Sequence, residues 1–292
     1  MATHLPPPRV AAIHDLSCLG RCALTVIIPT LSVMGYQVVP LPTALLSTHT
    51  GGFTDLHFRD LTKDMEEISD HFSRLGTTFR AIYSGFLGSE EQIETVSRFI
   101  DRFQNTPDES GERPLVVIDP VMGDEGELYS TYTQELMRGM RTLARKADLL
   151  TPNLTEACFL TDTPYRSTES MEAEEAWSFV NSLMDRLCEL GAERTVITGI
   201  HLPDRFLANL GQNADGSRFA VRKALQKRSY PGTGDIFASV LLGELLKTKN
   251  FEAACDRAAD FTATLIREST PINTPTRNGV ALESHLGLLL HN

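Results

Sequence analysis

Short apolar runs alternate with longer amphipathic stretches along most of the chain, and no other feature narrows its possible folds as much. Residues 9–14 (RVAAIH), 81–84 (AIYS), 114–120 (PLVVIDP), 148–151 (DLLT) and 195–198 (TVIT) are too short for helices and largely lack a polar face, as strands covered on both sides must. Residues 61–75, 90–103, 134–144 and 171–190 instead repeat apolar side chains at helical spacing amid charges, and Gly191 closes the last of them. This rhythm predicts a mainly parallel sheet with helices on both faces. Residues 25–34 (TVIIPTLSVM) read as a further helix in spite of Pro29. Residues 37–47 carry prolines at positions 40 and 42, so a strand there belongs at an edge or in a flap. The less regular stretch 203–230 predicts an antiparallel hairpin turning at Ala214-Asp215-Gly216-Ser217. With no fixed-period repeat and no low-complexity linker, residues 1–292 are expected to form one α/β domain carrying a small β flap at about residues 37–60.

A length of 292 residues suffices for one large core, and a 41% hydrophobic, 22% charged composition is that of a globular protein. The formal charge of −11 argues against nucleic acid and anionic membrane as partners, because such binding runs on Lys and Arg displacing counterions. A phosphate-bearing small molecule is not excluded, since helix N-termini and metal ions attract it locally. Cys18, Cys22, Cys158, Cys188 and Cys255 are scattered, without the paired spacing of a structural zinc site. The leader MATHLPPPRV lacks the apolar segment of a secretory signal, and no apolar run approaches the ~18 residues of a membrane span. A reduced, cytoplasmic enzyme is the expectation. The acidic stretch 169–175 suits the solvated start of a helix and needs no further role.

Pro231-Gly232-Thr233-Gly234-Asp235 runs straight into the apolar stretch IFASVLLGELLKT, so a glycine-bracketed turn opens a buried helix. Such a helix aims unpaired N–H groups forward, and its partial positive charge favours phosphate oxygens. Asp235 could then accept the proton of a substrate hydroxyl while the neighbouring amides stabilise a transferring phosphoryl group. Taken alone, the turn is more economically an N-cap. Thr151-Pro152-Asn153-Leu154-Thr155-Glu156 follows a predicted strand and sets Asn153 and Glu156 three apart on one side of a helical turn. An amide and a carboxylate so placed suit Mg²⁺, which takes few protein ligands and keeps its waters, and suit a capping box equally well. Asp119-Pro120-Val121-Met122-Gly123-Asp124 ends the PLVVI strand, where open α/β sheets bind ligands, and is otherwise an ordinary Asp/Pro/Gly turn.

PGTGD, TPNLTEA, DPVMGDEGELY and SGFLGS, in their order, resemble the ribokinase-like superfamily and specifically its vitamin B6 kinase branch, over about residues 10–268. The resemblance implies a three-layer α/β/α sandwich with a mainly parallel central sheet and a small β flap, a homodimer, and ATP-dependent phosphorylation of a B6 vitamer's hydroxymethyl group. It implies Asp235 as base in contact with substrate, and Gly232, Thr233 and Gly234 as the anion hole. Asn153 and Glu156 match the element that organises Mg²⁺, Asp119 the acidic residue near metal and phosphates, and Thr198 a nucleotide contact. A monovalent-cation requirement is left open. On the vitamin side Thr50 in STHTGG resembles a ring contact, and Phe86 stands where many members carry Tyr. An aromatic there could stack on a pyridine ring or simply pack in the core. The chain departs from the pattern at Asp15-Leu16, where many members have Ser-His, and Asp15 thereby becomes a candidate for vitamer preference. A hydroxymethylpyrimidine kinase is the nearest rival and a non-catalytic vitamer-binding protein a second. A sugar kinase is disfavoured because the expected glycine-rich segment is absent. His14, His49 and His57 are assigned no chemical role.

Overall fold

All five predicted buried runs become strands of one sheet. The computed structural model describes residues 6–129, 132–272 and 274–290. In chain order its elements are β1 (Arg9–Leu19), α1 (Leu24–Val33), β2 (Gln37–Thr48), β3 (Phe58–Asp60), α2 (Thr62–Arg74), β4 (Ala81–Ser84), α3 (Glu90–Phe103), β5 (Leu115–Ile118), β6 (Gly123–Asp124), β7 (Glu127–Leu128), α4 (Gln134–Ala144), β8 (Leu149–Leu150), α5 (Leu154–Leu160), α6 (Ala173–Cys188), β9 (Arg194–His201), β10 (Phe206–Gln212), β11 (Arg218–Ala224), α7 (Thr233–Thr248) and α8 (Phe251–Ser269), with short 3-10 turns among them. The main sheet has nine strands in the order β11-β10-β9-β8-β5-β4-β1-β2-β3. From β9 to β2 neighbouring strands are parallel, while β10, β11 and β3 run antiparallel at the two edges.

Alternate residues of β1 serve opposite faces, as the period of a strand requires. Ala11 and Ile13 join a cluster with Ile93 and Phe99 of α3, Met140 of α4 and Val180 of α6. Val10 and Ala12 join one with Leu24 and Ile27 of α1, Leu241 of α7 and Ala258 of α8. Each such large apolar side chain gains about 1.5–3 kcal/mol on burial, so both helical layers hold the sheet flat against themselves and the three-layer expectation stands.

Three boundaries differ from the sequence reading. The first strand does not end at His14 but continues through Asp15 to Leu19, paired with β2 across a register shift between His14 and Leu16. The TVIT strand does not end at Thr198; β9 runs on to His201, with a bulge where Asn209 faces Thr198 and Gly199. The flap segment 37–60 is divided: β2 belongs to the main sheet, and β3 returns against Ala44–Leu46 after a loop. Pro40 and Pro42 lie where β2 has only β1 beside it, so their missing N–H groups cost no ladder bond on the open side. The hairpin of β10 and β11 turns where expected, with Asp215 Oδ1 accepting from Ser217 N at 2.9 Å.

Candidate active site

The C-terminal ends of β1, β4, β5 and β8 and the N-terminus of α7 converge on one edge of the sheet, the edge at which open α/β sheets bind ligands. Helix α7 is held there by ten consecutive buried residues, Ile236–Leu245. Its cap, Gly232, has φ 81°, and a Cβ on it would lie 1.9 Å from the Arg21 carbonyl oxygen, so the fold itself demands glycine. Gly234 is different. Its φ is ordinary and no protein atom lies within 4 Å of where a Cβ would be, so the space before its amide is open to a ligand. Thr233 Oγ1 donates to the Tyr230 carbonyl at 3.0 Å, which fixes the turn and leaves the first amides of α7 facing outward.

Asp235 Oδ2 accepts the Ala23 N–H at 2.8 Å. Ala23 caps α1 at φ 47°, ψ −135°, a conformation that L residues rarely adopt and that costs about 1–3 kcal/mol. This strained alanine, invisible as a functional residue in sequence because alanine signals only helix, aims its amide at the candidate base. Burial pushes the Asp235 carboxyl up to about 7, against the pull of the Ala23 amide and with the help of the Asp15 charge. A group poised there can hold or release a proton near neutral pH.

Asp119, at the end of β5, accepts from Thr151 Oγ1 at 3.1 Å, and burial together with the Asp235 charge raises it to about 8. Asn153 and Glu156 form the capping box: Asn153 Oδ1 accepts from Glu156 N at 2.9 Å and Glu156 Oε2 from Asn153 N at 2.8 Å. Glu156 Oε1 also accepts from Met122 N at 3.1 Å, and Asn153 Nδ2 donates to Gly123 O at 2.9 Å. The pair therefore staples the DPVMGDEG loop to α5. Burial and the Asp119 charge raise Glu156, opposed by these backbone N–H groups. Fully buried Tyr83 on β4 is a neighbour that the sequence reading missed, close enough to Asp119 and Asp235 that their charges add to burial in raising its phenol.

The remaining candidates are placed less directly. Thr198 N donates to Pro152 O at 2.8 Å, so the β9 bulge is tied to the loop of Asn153. Phe86 is partly buried and packs against the core cluster, the plainer of its two readings. Thr50 is exposed on a loop pinned from beyond α8: His49 Nε2 donates to Arg277 O at 2.7 Å, Gly51 N donates to His49 Nδ1 at 3.1 Å, and the Arg277 guanidinium lies 5.0 Å from the Phe53 ring centre. Arg277 was not foreseen either. Asp15 is 7% exposed and accepts from Ser17 Oγ at 2.8 Å.

Asp15, Asp119, Glu156 and Asp235 thus crowd one edge, and among the described residues none forms an ion pair with Lys or Arg. Buried like charges of this kind are relieved by a cation. No cluster of three or more His, Cys, Asp or Glu able to hold a metal exists among the described residues. Asp119 and Glu156 offer the carboxylate oxygens that Mg²⁺ prefers, and each Glu156 oxygen already accepts a backbone N–H. No helix among the described residues is long and apolar enough to cross a membrane.

Comparison with known proteins agrees with this geometry. Residues 27–279 match the family model described as phosphomethylpyrimidine kinase. A Bacteroides thetaiotaomicron protein provisionally described as a phosphomethylpyrimidine kinase, solved in a form with pyridoxal, is 39% identical, with 97% of this chain and 95% of that one covered and a TM-score of 0.88. The pyridoxal kinase of Lactobacillus plantarum is 29% identical over 97% and 96% of the two chains, with a TM-score of 0.85. The pyridoxal kinase of Arabidopsis thaliana is 27% identical over 89% of this chain and 82% of its own length. An Asp at the start of a buried helix, a glycine with open space before it and a crowd of unpaired carboxylates at one sheet edge accompany a family match over most of the chain: it belongs to the phosphomethylpyrimidine kinase family, of ribokinase-like fold.

Proposed function

We propose that this chain transfers the γ-phosphoryl group of ATP to the 5′-hydroxymethyl group of a B6 vitamer, pyridoxal, pyridoxine or pyridoxamine. The observation that carries the reading is Asp235, in the first turn of α7, with the amides of Gly232–Gly234 beside it and the Ala23 N–H holding one of its oxygens. In this reading the free Asp235 oxygen takes the proton of the substrate hydroxyl as that oxygen bonds to the γ-phosphorus. The bond to the β–γ bridging oxygen breaks, and ADP leaves with the electron pair. The outward amides of α7 meet the charge on the transferring phosphoryl group, where donors already in place need no reorganisation. Bound Mg²⁺ supplies charge neutralisation on the phosphates. Asp119 and Glu156 would hold it, Thr151 fixes Asp119, and Asn153 fixes Glu156. Thr198 is assigned a nucleotide contact, and Thr50 and Phe86 contacts to the vitamer. Residues 1–292 act in this reading as one kinase unit with a flap segment at about 37–60, in the cytoplasm, as the scattered cysteines and the leader suggest, and as a homodimer, as the family resemblance implies.

A second reading, a kinase for hydroxymethylpyrimidine, is favoured by the description of the matching family. One assay separates them. ADP release with pyridoxal, pyridoxine, pyridoxamine and hydroxymethylpyrimidine should be fastest with a B6 vitamer. Turnover of the pyrimidine alone would replace the first reading with the second, and no turnover of any would make the chain a binding protein.

A further inference from the structure

Asp15 is a buried acid without a counter-ion. It sits in β1 where the register with β2 shifts, at the point where an irregular strand can re-aim a side chain. Its surroundings are enumerable. From its own strand Ser17 donates one hydrogen bond at 2.8 Å; across the site stand the Asp235 carboxyl, the Cys22 thiol and the His49 ring. The only one of these able to carry positive charge is His49, and both its ring nitrogens are already engaged, with Gly51 N and Arg277 O. Arg21 is turned away to Glu283 at 2.8 Å. The Ser17 hydroxyl, its own backbone N–H and the nearby His49 ring favour its charge, yet burial outweighs all three and holds the carboxyl above its ordinary range. The strand could have carried a neutral residue here at lower cost to stability. What such a site lacks is a cation, and of the vitamers that fit the proposed reaction, which share a basic ring nitrogen, pyridoxamine alone adds an aliphatic ammonium.

We propose that Asp15 is the specificity-determining residue of this site and selects an aminomethyl-bearing vitamer, pyridoxamine, over the aldehyde and the alcohol forms. The inference rests on the B6 kinase reading. Asp15 accepts the ammonium N–H groups, with the Ser17 hydroxyl holding its second hydrogen-bonding direction, and takes no part in moving the phosphoryl group. Burial raises the Asp15 carboxyl above the ordinary aspartate range, and an ammonium beside it would favour the charged form.

The test measures kcat/KM for pyridoxamine and pyridoxine, side by side, in wild type, Asp15→Asn and Asp15→Ser, with pyridoxine correcting for any general damage in a variant. The expected result is a pyridoxamine-to-pyridoxine ratio that falls tenfold or more in both variants, with most of the change in KM. Calorimetric titration should show pyridoxamine, but not pyridoxine, bound tenfold or more weakly by Asp15→Asn than by wild type; because it reads binding, it works even where a variant turns over poorly. If wild type phosphorylates B6 vitamers but the ratio and the pyridoxamine affinity are the same in Asp15→Asn, the proposal falls and the function stands. If wild type phosphorylates none of them, both fall.

Discussion

A methyl group on Gly232 would be driven to within 1.9 Å of the Arg21 carbonyl, whereas one on Gly234 would meet no protein atom within 4 Å. Gly232→Ala should therefore lose roughly 2 kcal/mol or more of stability. Gly234→Ala should keep its melting temperature, or gain slightly from the ~1 kcal/mol better helix propensity of alanine, yet lose about tenfold or more in kcat/KM for ATP. Thermal unfolding and initial-rate kinetics on the two variants check this, and a Gly234→Ala protein with normal ATP kinetics would deny the open space its ligand. Asp235→Asn should lower kcat by roughly 10²-fold or more. In wild type, kcat/KM should climb as pH rises through about 7, because the base works only after losing the proton that burial helps it keep. Of this site, Asp235 was legible only through its company: Gly-Thr-Gly-Asp alone reads as an N-cap, and the N-x-x-E and DPVMGD segments are what set it in a recognisable pattern. Ala23 was not: its identity says helix, and only its φ of 47° shows that it is bent to serve Asp235.

At the scale of elements, helix α5 is seven residues long and begins in a double staple, Asn153 to Glu156 and Glu156 to the Met122 amide. Each Glu156 oxygen faces a backbone N–H, so Glu156→Gln turns one acceptor into a donor pointed at a donor. The variant should lose about 1–3 kcal/mol of stability and require more Mg²⁺ for half-maximal rate. Chemical denaturation measures the first effect and a Mg²⁺ titration of the rate the second; a destabilised variant with an unchanged Mg²⁺ titration would leave Glu156 as a cap only. The sequence allowed both readings of the N-x-x-E spacing, and the structure realises the cap without removing the other. Strand cores were legible for a simple reason: Val, Ile and Leu in runs covered from both sides have no alternative home. Strand ends were not. β1 extends past His14, and β9 past Thr198, because β2 and β10 lie beside them with a register shift that no single segment encodes.

At the scale of the molecule, an unfolded aspartate has released its proton by about pH 4, while folded Asp119 and Asp235 keep theirs to about 8 and about 7. Their contribution to stability is therefore complete below about pH 4 and is lost as pH rises through 7 to 8. The ligand-free protein should melt at progressively lower temperature from pH 6 to 8.5. Asp235→Asn should show a shallower decline, and parallel curves would mean that Asp235 is not held above its ordinary range. The alternation of elements made the class of fold readable, but not the order of its strands. The chain lays down β1, adds β2 and β3 on one side of it, then crosses once to the other side and adds β4, β5, β8, β9, β10 and β11 outward in order. One long-range connection went unread altogether, because it joins residues more than two hundred positions apart.

That connection is the segment around Arg277–Glu283. Arg277 receives His49 through its carbonyl; Asn278 and Glu283 both bind Arg21; and Gly279 lies so close that a Cβ would meet the Arg21 side chain at 2.7 Å. It braces the loop of Thr50 and the turn behind Gly232 at once. The order of synthesis thereby acquires meaning. A nascent chain meets Arg21 and His49 early, yet both lack their brace until Arg277–Glu283 have been made. A protein cut before Arg277 also loses Val280, Leu282 and Leu289 from the core shared with α1, α7 and α8, so it should melt well below the full chain and phosphorylate nothing, and truncation products would be silent rather than half-active.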